Sequence, residues 1–278
     1  MSNTISVSIC IPTYNQTKYL RQTLDSIVNQ TYKDFELIIS DDSSTEDVSN
    51  LLVEYKNKLP FHYVRNTPGL GSPQNWNHAI SLAKGRWIKI MHHDDWFSEI
   101  YALEKMMSIA DKTTDSLIFA GIKGSYLVDG RTYENLPDPS FENKLNNDPF
   151  LLLKGNFIGP PSCVLFLKSD IYFDIKSKWL VDIDYYIRLI IENKHKVTYI
   201  NEIFFENCMD QHNITNNYLF DQELQLNEYV YLLNKYSKFM KLSKKFYYFA
   251  YVYGFLKKIN KRNSLILFIR LLKKRIYV

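Results

Sequence analysis

Four short apolar runs in the first 91 residues, separated by stretches of helical periodicity, constrain this chain more than any other feature of its sequence. Ile5, Val7, Ile9 and Ile11 alternate with Ser6, Ser8 and Cys10, which predicts a strand with small residues on its second face, ended by Pro12. Residues 35–40, 61–65 and 86–91 read as three more strands. Between them Leu20, Leu24, Ile27 and Val28, then Val48, Leu51, Leu52 and Tyr55, then Trp76, Ala79, Ile80 and Ala83 recur at helical spacing. Gly85 is expected to stop the third helix. Strands alternating with helices at these intervals require crossover connections, hence an α/β fold with a mostly parallel sheet.

Three of the four strands run into polar clusters: Thr13-Tyr14-Asn15, Asp41-Asp42, and His92-His93-Asp94-Asp95. In a parallel sheet those ends lie along one edge, where ligands of α/β proteins bind, so the clusters should converge. Carboxylates dominate them, and neither a Gly-x-Gly-x-x-Gly nor a Gly-Lys-Ser loop is present to cradle phosphates. Carboxylates repel a bare pyrophosphate, so a divalent cation has to stand between; Mg²⁺ and Mn²⁺ are held by a few oxygens plus substrate phosphates. The structural alternative is that Asp94 and Asp95 cap a helix beginning near Ser98.

After Phe97 the pattern loosens. Leu103, Met106, Met107 and Ala110 mark a helix; residues 117–120 and 125–128 read as strands with Asp129-Gly130 as a hairpin turn. Asp148-Pro149 opens a short helix to Lys154, residues 163–167 form a strand, and Trp179 to Asp184 open another helix. Residues 197–200 and 203–205 are strand-like, and from about Tyr218 the chain reads helical. An apolar fraction of 46% with 23% charged residues is that of a soluble globular protein. Cys10, Cys163 and Cys208 lie far apart, without metal-knuckle spacing, and are expected to be buried reduced thiols of a cytoplasmic protein. No secretory signal pattern opens the chain, and no apolar run approaches the ~20 residues of a membrane span. The net charge of +4 is too modest to imply a nucleic-acid partner.

Val7-Ser8-Ile9-Cys10-Ile11-Pro12-Thr13-Tyr14-Asn15, Ile38-Ile39-Ser40-Asp41-Asp42-Ser43-Ser44, Trp76-Asn77-His78-Ala79, Lys84-Gly85-Arg86-Trp87-Ile88 and the acidic pair Asp94-Asp95 follow one another in an order and spacing that resemble a family-2 glycosyltransferase. The likeness covers roughly the first 100 residues and resumes at residues 179–188 and 211–215. It implies a Rossmann-like, mostly parallel sheet of the glycosyltransferase-A type with a C-terminal helical extension. It also implies an inverting, metal-dependent transfer of sugar from a nucleoside-diphosphate donor, UDP-linked in many relatives. By position, Pro12, Thr13, Tyr14 and Asn15 would line the nucleotide pocket, with Tyr14 near the base. Asp42 would accept from the base, Asp41 would support that loop, and Asn77 would stand on the donor side. Asp95 would be the direct ligand of Mn²⁺ or Mg²⁺, with Asp94 nearer the ribose and shared with the metal, and His212 approaching the metal or diphosphate. Relatives often carry an acid where this chain has His92, so neither His92 nor His93 is assigned a ligand role.

The same resemblance makes Asp182 the catalytic base, six residues before Arg188 in the family's acid-to-arginine spacing, although Val181 replaces the usual Glu. The alternative is that Asp182 and Asp184 cap a helix. Trp179, Phe157 and Ser162 would lie on the acceptor side. A sugar hydroxyl needs a carboxylate to take its proton as attack begins, and a metal ion neutralises the departing diphosphate. Residues 1–98 are expected to form the nucleotide-sugar half, 99–215 the acceptor half of the same domain, and 216–278 a helical region. Within 238–278, Lys241, Lys244, Lys245, Lys257 and Lys258 lie among Tyr, Phe, Leu and Ile. Such a stretch either associates with an anionic membrane from the cytoplasmic face or packs on the core with a solvated basic side. A saccharide or lipid-linked acceptor, and a role in surface-polysaccharide synthesis, complete the expectation. Two competitors remain: a sugar nucleotidyltransferase, for which Pro12 to Lys18 lacks the glycine-rich basic loop, and a non-catalytic nucleotide-sugar or membrane scaffold.

Overall fold

A computed structural model of the chain describes residues 5–126, 130–192, 196–209, 218 and 221–259. β1 (Val7–Thr13) is buried along its whole length, as a strand covered on both faces has to be. It pairs in parallel with β2 (Phe35–Asp41) on one side and β4 (Trp87–Ile90) on the other, and β2 pairs in parallel with β3 (Phe61–Arg65). α1 (Lys18–Val28) buries Leu20, Leu24 and Ile27, and α2 (Asp47–Val53) buries Val48, Leu51 and Leu52, the positions marked by their periodicity. α3 (Gln74–Leu82) lies on the small-residue face of β1, where the Cys10 thiol donates to the Ala79 carbonyl.

The chain moves outward from β1 to β3 and then returns to set β4 on the opposite side of β1, giving the order β3-β2-β1-β4. Loops leave β1 and β4 in opposite directions, so a crevice opens beyond their carboxyl ends. The second half continues the same sheet. β8 (Val164–Leu167) runs antiparallel to β4 and to β6 (Leu117–Tyr126), and β9 (Val197–Met209) runs parallel to β6. β5 (Asp95–Phe97) closes the far edge against β9, and β7 (Thr132–Asn135) hairpins onto β6. Strands β1, β2, β3, β4, β6 and β9 therefore share one direction. α4 (Ala102–Ala110), α5 (Ser140–Asn147) and α6 (Val181–Glu192) complete this part, with a 3₁₀ turn at Pro149–Lys154.

Three elements depart from expectation. β6 is one strand rather than two, because Gly121 and Gly124 permit close approach instead of breaking it. A Cβ at Gly124 would strike the Asn207 carboxamide and the Tyr133 ring. β9 is likewise continuous; its extra residues are absorbed in an irregularity opposite Ala120, Gly121 and Ile122. Asp95 to Phe97 form a strand and the next helix starts at Ala102, which removes the reading of Asp94 and Asp95 as a cap near Ser98.

α7 (Gln222–Tyr236) and α8 (Leu242–Ile259) follow. α8 buries Tyr248 and Val252, and the Tyr248 hydroxyl donates to Asp148 Oδ2 at 2.8 Å while Lys244 pairs with the same oxygen at 3.0 Å. The basic stretch thus packs on the core as far as Val252; residues 260–278 lie outside the described part.

Gly85 does not terminate α3, which ends at Leu82 with Ala83 already extended. Its N–H donates to Ser8 Oγ at 2.8 Å, and a Cβ there would lie 2.6 Å from the Ser8 nitrogen and 2.7 Å from the Val7 carbonyl carbon. Two backbones meet at this point. Gly85→Ala should therefore destabilise the protein by about 1–3 kcal/mol, measured by urea unfolding; an unchanged midpoint would contradict the close packing.

Candidate active site

The crevice beyond β1 and β4 holds a cavity of about 450 Å³. Pro12, Thr13 and Tyr14 line it from β1, Asp42 from β2, Asn75 and Trp76 from α3, and His93 from the turn after β4; the loop Gly69–Ser72 and Tyr218 close it. Hydrogen bonds fix each wall. Asp42 accepts from the Gly71 N–H at 2.7 Å and from Asn66 at 2.8 Å, which pins the glycine-containing loop against β2. Asp41, fully buried, accepts from the Ser43 N–H and the Tyr63 hydroxyl, both at 2.8 Å. Asn75 donates to the Ser40 carbonyl at 3.1 Å and the Thr13 carbonyl at 3.3 Å, tying α3 to the ends of both strands. Thr13 Oγ1, by contrast, is buried without a hydrogen-bond partner. A buried hydroxyl left in that state costs free energy unless a ligand completes it.

Beside the cavity, His92, Asp94 and Asp95 present one ligand atom each, all within 4.8 Å of one another. β5 fixes Asp95 through its pairing with Asn207, and the Thr23 hydroxyl donates to the Asp95 carbonyl at 2.8 Å. Ser162 Oγ donates to Asp95 Oδ2 and accepts from the His92 N–H at 3.2 Å, so one hydroxyl orients two members of the group. Beneath it the Lys89 ammonium donates to the Ser162 carbonyl and sits 3.8 Å above the Phe205 ring centroid. Burial pushes the Asp95 carboxyl well above the usual carboxylate range and the Asp94 charge adds to this, opposed by Ser162, Lys89 and Asn207. Burial lowers Lys89 to about 7 and His92 to about 4, so the imidazole is neutral at physiological pH. His92 Nε2 is buried without a partner, and the ring packs on Trp76 at 4.7 Å. Two carboxylates, that of Asp95 buried, and a neutral imidazole nitrogen form a donor set that fits a divalent cation such as Mn²⁺ or Mg²⁺.

The two acids in the first turn of α6 have opposite surroundings. Asp184 is fully buried and satisfied: Arg188 Nε donates to Oδ2 at 2.8 Å, and the Tyr236 hydroxyl and Lys235 each approach Oδ1 at 2.7 Å. Asp182 Oδ1 is buried and unpartnered, and burial raises its carboxyl to about 7. Arg188, six residues after Asp182, pairs with Asp184. Neither acid caps α6. Glu228 of α7 accepts from the N–H groups of Lys178, Trp179 and Leu180 at 2.6, 3.1 and 2.8 Å, respectively. The charges of Asp95 and Asp182 both act on the buried Cys163 thiol and the Tyr186 hydroxyl, which burial chiefly raises.

The model of the family described as glycosyl transferase family 2 matches residues 8–172. This chain belongs to that family. An uncharacterized glycosyltransferase of Rickettsia typhi is 29% identical over 195 residues, 66% of this chain and 58% of that protein. The poly(ribitol-phosphate) beta-glucosyltransferase of Bacillus spizizenii is 32% identical over 133 residues, 46% of this chain and 20% of that protein. Among solved structures, S. aureus TarS 1–349 in complex with UDP-GlcNAc matches with a TM-score of 0.65 at 18% identity, over 92% of this chain and 82% of that one. The mannosyltransferase PcManGT of Pyrobaculum calidifontis, in complex with GDP-Man and Mn²⁺, matches with a TM-score of 0.62 at 14% identity, over 96% and 74%. At such identities these structures speak for the glycosyltransferase-A type of fold. The chain spans a little over half the length of the Rickettsia relative.

Within the family-2 framework, the structure engages several of the expected positions away from the cavity lining. Asn15 does not line the cavity: at φ 49° its N–H donates to Ser43 Oγ and its amide oxygen accepts from Ser44, joining the β1 and β2 turns. Asn77 is consumed by the Phe173 backbone, donating at 2.9 Å and accepting at 2.8 Å, and Asn75 takes its place at the cavity. His93 lines the cavity, and His92, assigned no ligand role from the sequence, joins the acidic group. Ser162 is fully buried against Asp95. Trp179 packs edge-on against Tyr229, and Phe157 stands 39% exposed beside Phe141. His212 lies outside the described residues. The roles of Asn75, Asn66, Ser162 and Glu228 depend on contacts distant in sequence, which no local pattern announces.

The contrast between the two α6 acids is measurable. Asp184→Ala should cost about 3–5 kcal/mol, because it leaves the largely buried Arg188 without its carboxylate and removes the partner of the buried Tyr236 hydroxyl. Asp182→Asn should instead raise the melting temperature at pH 8. The folded state favours the protonated carboxyl, so stability is lost as pH rises from the ordinary carboxylate range through about 7, and the amide escapes that loss. Equal destabilisation by both changes would refute the distinction.

Proposed function

We propose that this chain is an inverting glycosyltransferase that moves a sugar from a nucleoside-diphosphate donor, UDP-linked, to a hydroxyl of a saccharide or lipid-linked acceptor during surface-polysaccharide synthesis. The observation that carries this reading is the adjacency of the β1/β4 cavity to the His92–Asp94–Asp95 group: His93, between them in sequence, lines the cavity itself. TarS with UDP-GlcNAc and PcManGT with GDP-Man and Mn²⁺ share the fold and support a nucleotide-sugar donor. A scaffold that only bound the nucleotide sugar would not need a carboxyl with a buried, unpartnered oxygen such as Asp182.

In this mechanism Tyr14, 59% exposed at the cavity rim, offers its ring to the base, and the unpartnered Thr13 hydroxyl donates to the nucleotide. The loop held by Asp42 closes over the nucleotide and excludes water from one side. Mn²⁺ or Mg²⁺ held by Asp95, Asp94 and His92 would neutralise charge on the diphosphate as a Lewis acid. Asp182 takes the acceptor hydroxyl's proton as its oxygen attacks the anomeric carbon. The bond to the diphosphate breaks on the opposite face, so configuration inverts in one displacement. A base near 7 is half ionised at neutral pH, close to the optimum for proton transfer.

No helix among the described residues is long and apolar enough to cross a membrane. Peripheral attachment to an anionic, cytoplasmic bilayer surface is part of the same proposal. No Asp or Glu follows Glu228, whereas Lys235, Lys238, Lys241, Lys244, Lys245 and eight further Lys or Arg do. Leu242 and Tyr247 stand exposed on α8 among these lysines. Basic residues near an anionic surface contribute about 1 kcal/mol each.

Two measurements test these statements. Against a panel of nucleotide sugars with Mn²⁺, the protein should transfer or hydrolyse at least one donor, with a rate that rises with pH through about 7 and then levels. Asp95→Asn and Asp182→Asn should each lower that rate by about 100-fold or more; activity indifferent to both would sink the mechanism. In sedimentation with vesicles, phosphatidylglycerol-containing membranes should retain the protein and phosphatidylcholine alone should not, with release at high salt. Retention by neither would end the membrane proposal.

A further inference from the structure

α7 enters the sequence as part of an appended helical region, yet it grips α6 on both sides of Asp182. On the N-terminal side, Glu228, only 4% exposed, reaches from the middle of α7 to three consecutive amides, those of Lys178, Trp179 and Leu180. Leu180 immediately precedes α6 and its amide is one of the donors that a helix start leaves without intrahelical partners; Lys178 and Trp179 belong to the segment leading in, and a carboxylate there also complements the positive end of the helix dipole. On the C-terminal side, the Tyr236 hydroxyl donates to both the Asp184 carboxylate at 2.7 Å and the Asp184 carbonyl at 3.0 Å, and Lys235 pairs with the same carboxylate. Asp182 lies between these two grips, and its own Oδ1 has no hydrogen bond to steer it. The direction in which that carboxyl points is therefore set by the backbone, and the backbone is set by α7.

Resting on the reading of Asp182 as the base, we infer that Glu228 is a positioning residue for the transfer reaction. Its carboxylate supplies from α7 a cap on residues 178–180, the segment that leads into α6, so that Asp182 faces the acceptor hydroxyl. The cap takes no part in donor binding, since it touches neither the cavity nor the His92–Asp94–Asp95 group. Loss of the cap should accordingly change turnover and leave nucleotide affinity alone.

The experiment compares the wild type, Glu228→Gln, Tyr236→Phe and Asp182→Asn in transfer kinetics, with UDP and Mn²⁺ binding measured separately by calorimetry. Glu228→Gln keeps the shape but turns an amide donor toward backbone N–H groups. It is expected to lower kcat on the order of 10- to 100-fold, with the donor KM and UDP affinity unchanged and the acid limb of the pH profile displaced. Tyr236→Phe, the milder change, should lower kcat by a smaller factor with the same unchanged binding. A wild-type kcat in Glu228→Gln, or a fall in UDP affinity that parallels its loss of rate, overturns the inference. Should Glu228→Gln fail to fold, an undiminished kcat in Tyr236→Phe overturns it instead. Full activity in Asp182→Asn would refute the base assignment itself, a result distinct from either outcome for Glu228.

Discussion

Asp95 is held at 3% exposure beside a second carboxylate, with a lysine buried beneath and a serine hydroxyl against one oxygen. Charged groups leave water only at considerable cost, and each neighbour reduces that cost for one particular position of the carboxylate. Lys89 contributes by filling the space between β4 and β9 with its chain and placing its ammonium on the Ser162 carbonyl and the Phe205 face. Ser162 converts that support into orientation, because its hydroxyl touches both His92 and Asp95. The sheet order follows from the same requirement: β8 brings Ser162 under β4, and β9 brings Asn207 against Asp95.

The first half of the fold was legible because its physics is local. β1, β2 and their helices carry strict periodicities, and the structure buries the residues those periodicities select. The second half was less legible for identifiable reasons. Gly121 and Gly124 look like strand breakers, yet their lack of a Cβ is what lets β6 lie against β7 and β9. The three residues of β5 are too few to show a period, and only their pairing with β9 makes them a strand.

At the site, strand ends were legible and side-chain assignments were not. Pro12, Thr13, Tyr14 and Asp42 meet at one cavity, as topology requires of successive parallel strands. Asn77 and Asn75 could not be told apart from sequence, since both lie on α3 and only the position of Phe173 decides which amide is consumed. Asp182 and Asp184 were likewise ambiguous until α7 placed Tyr236 and Lys235 on one of them.

The irregular register where β9 passes Ala120, Gly121 and Ile122 has a consequence for how this chain can diverge. Upstream of it, a residue gained or lost in β9 can be taken up by the irregularity, with the downstream pairing preserved. Downstream, Asn207 lies opposite both Gly124 and Asp95, and a single insertion would turn it to the other face of the sheet. The bulge therefore acts as an expansion joint: length variation is tolerated on the side remote from the acidic group and forbidden on the side next to it.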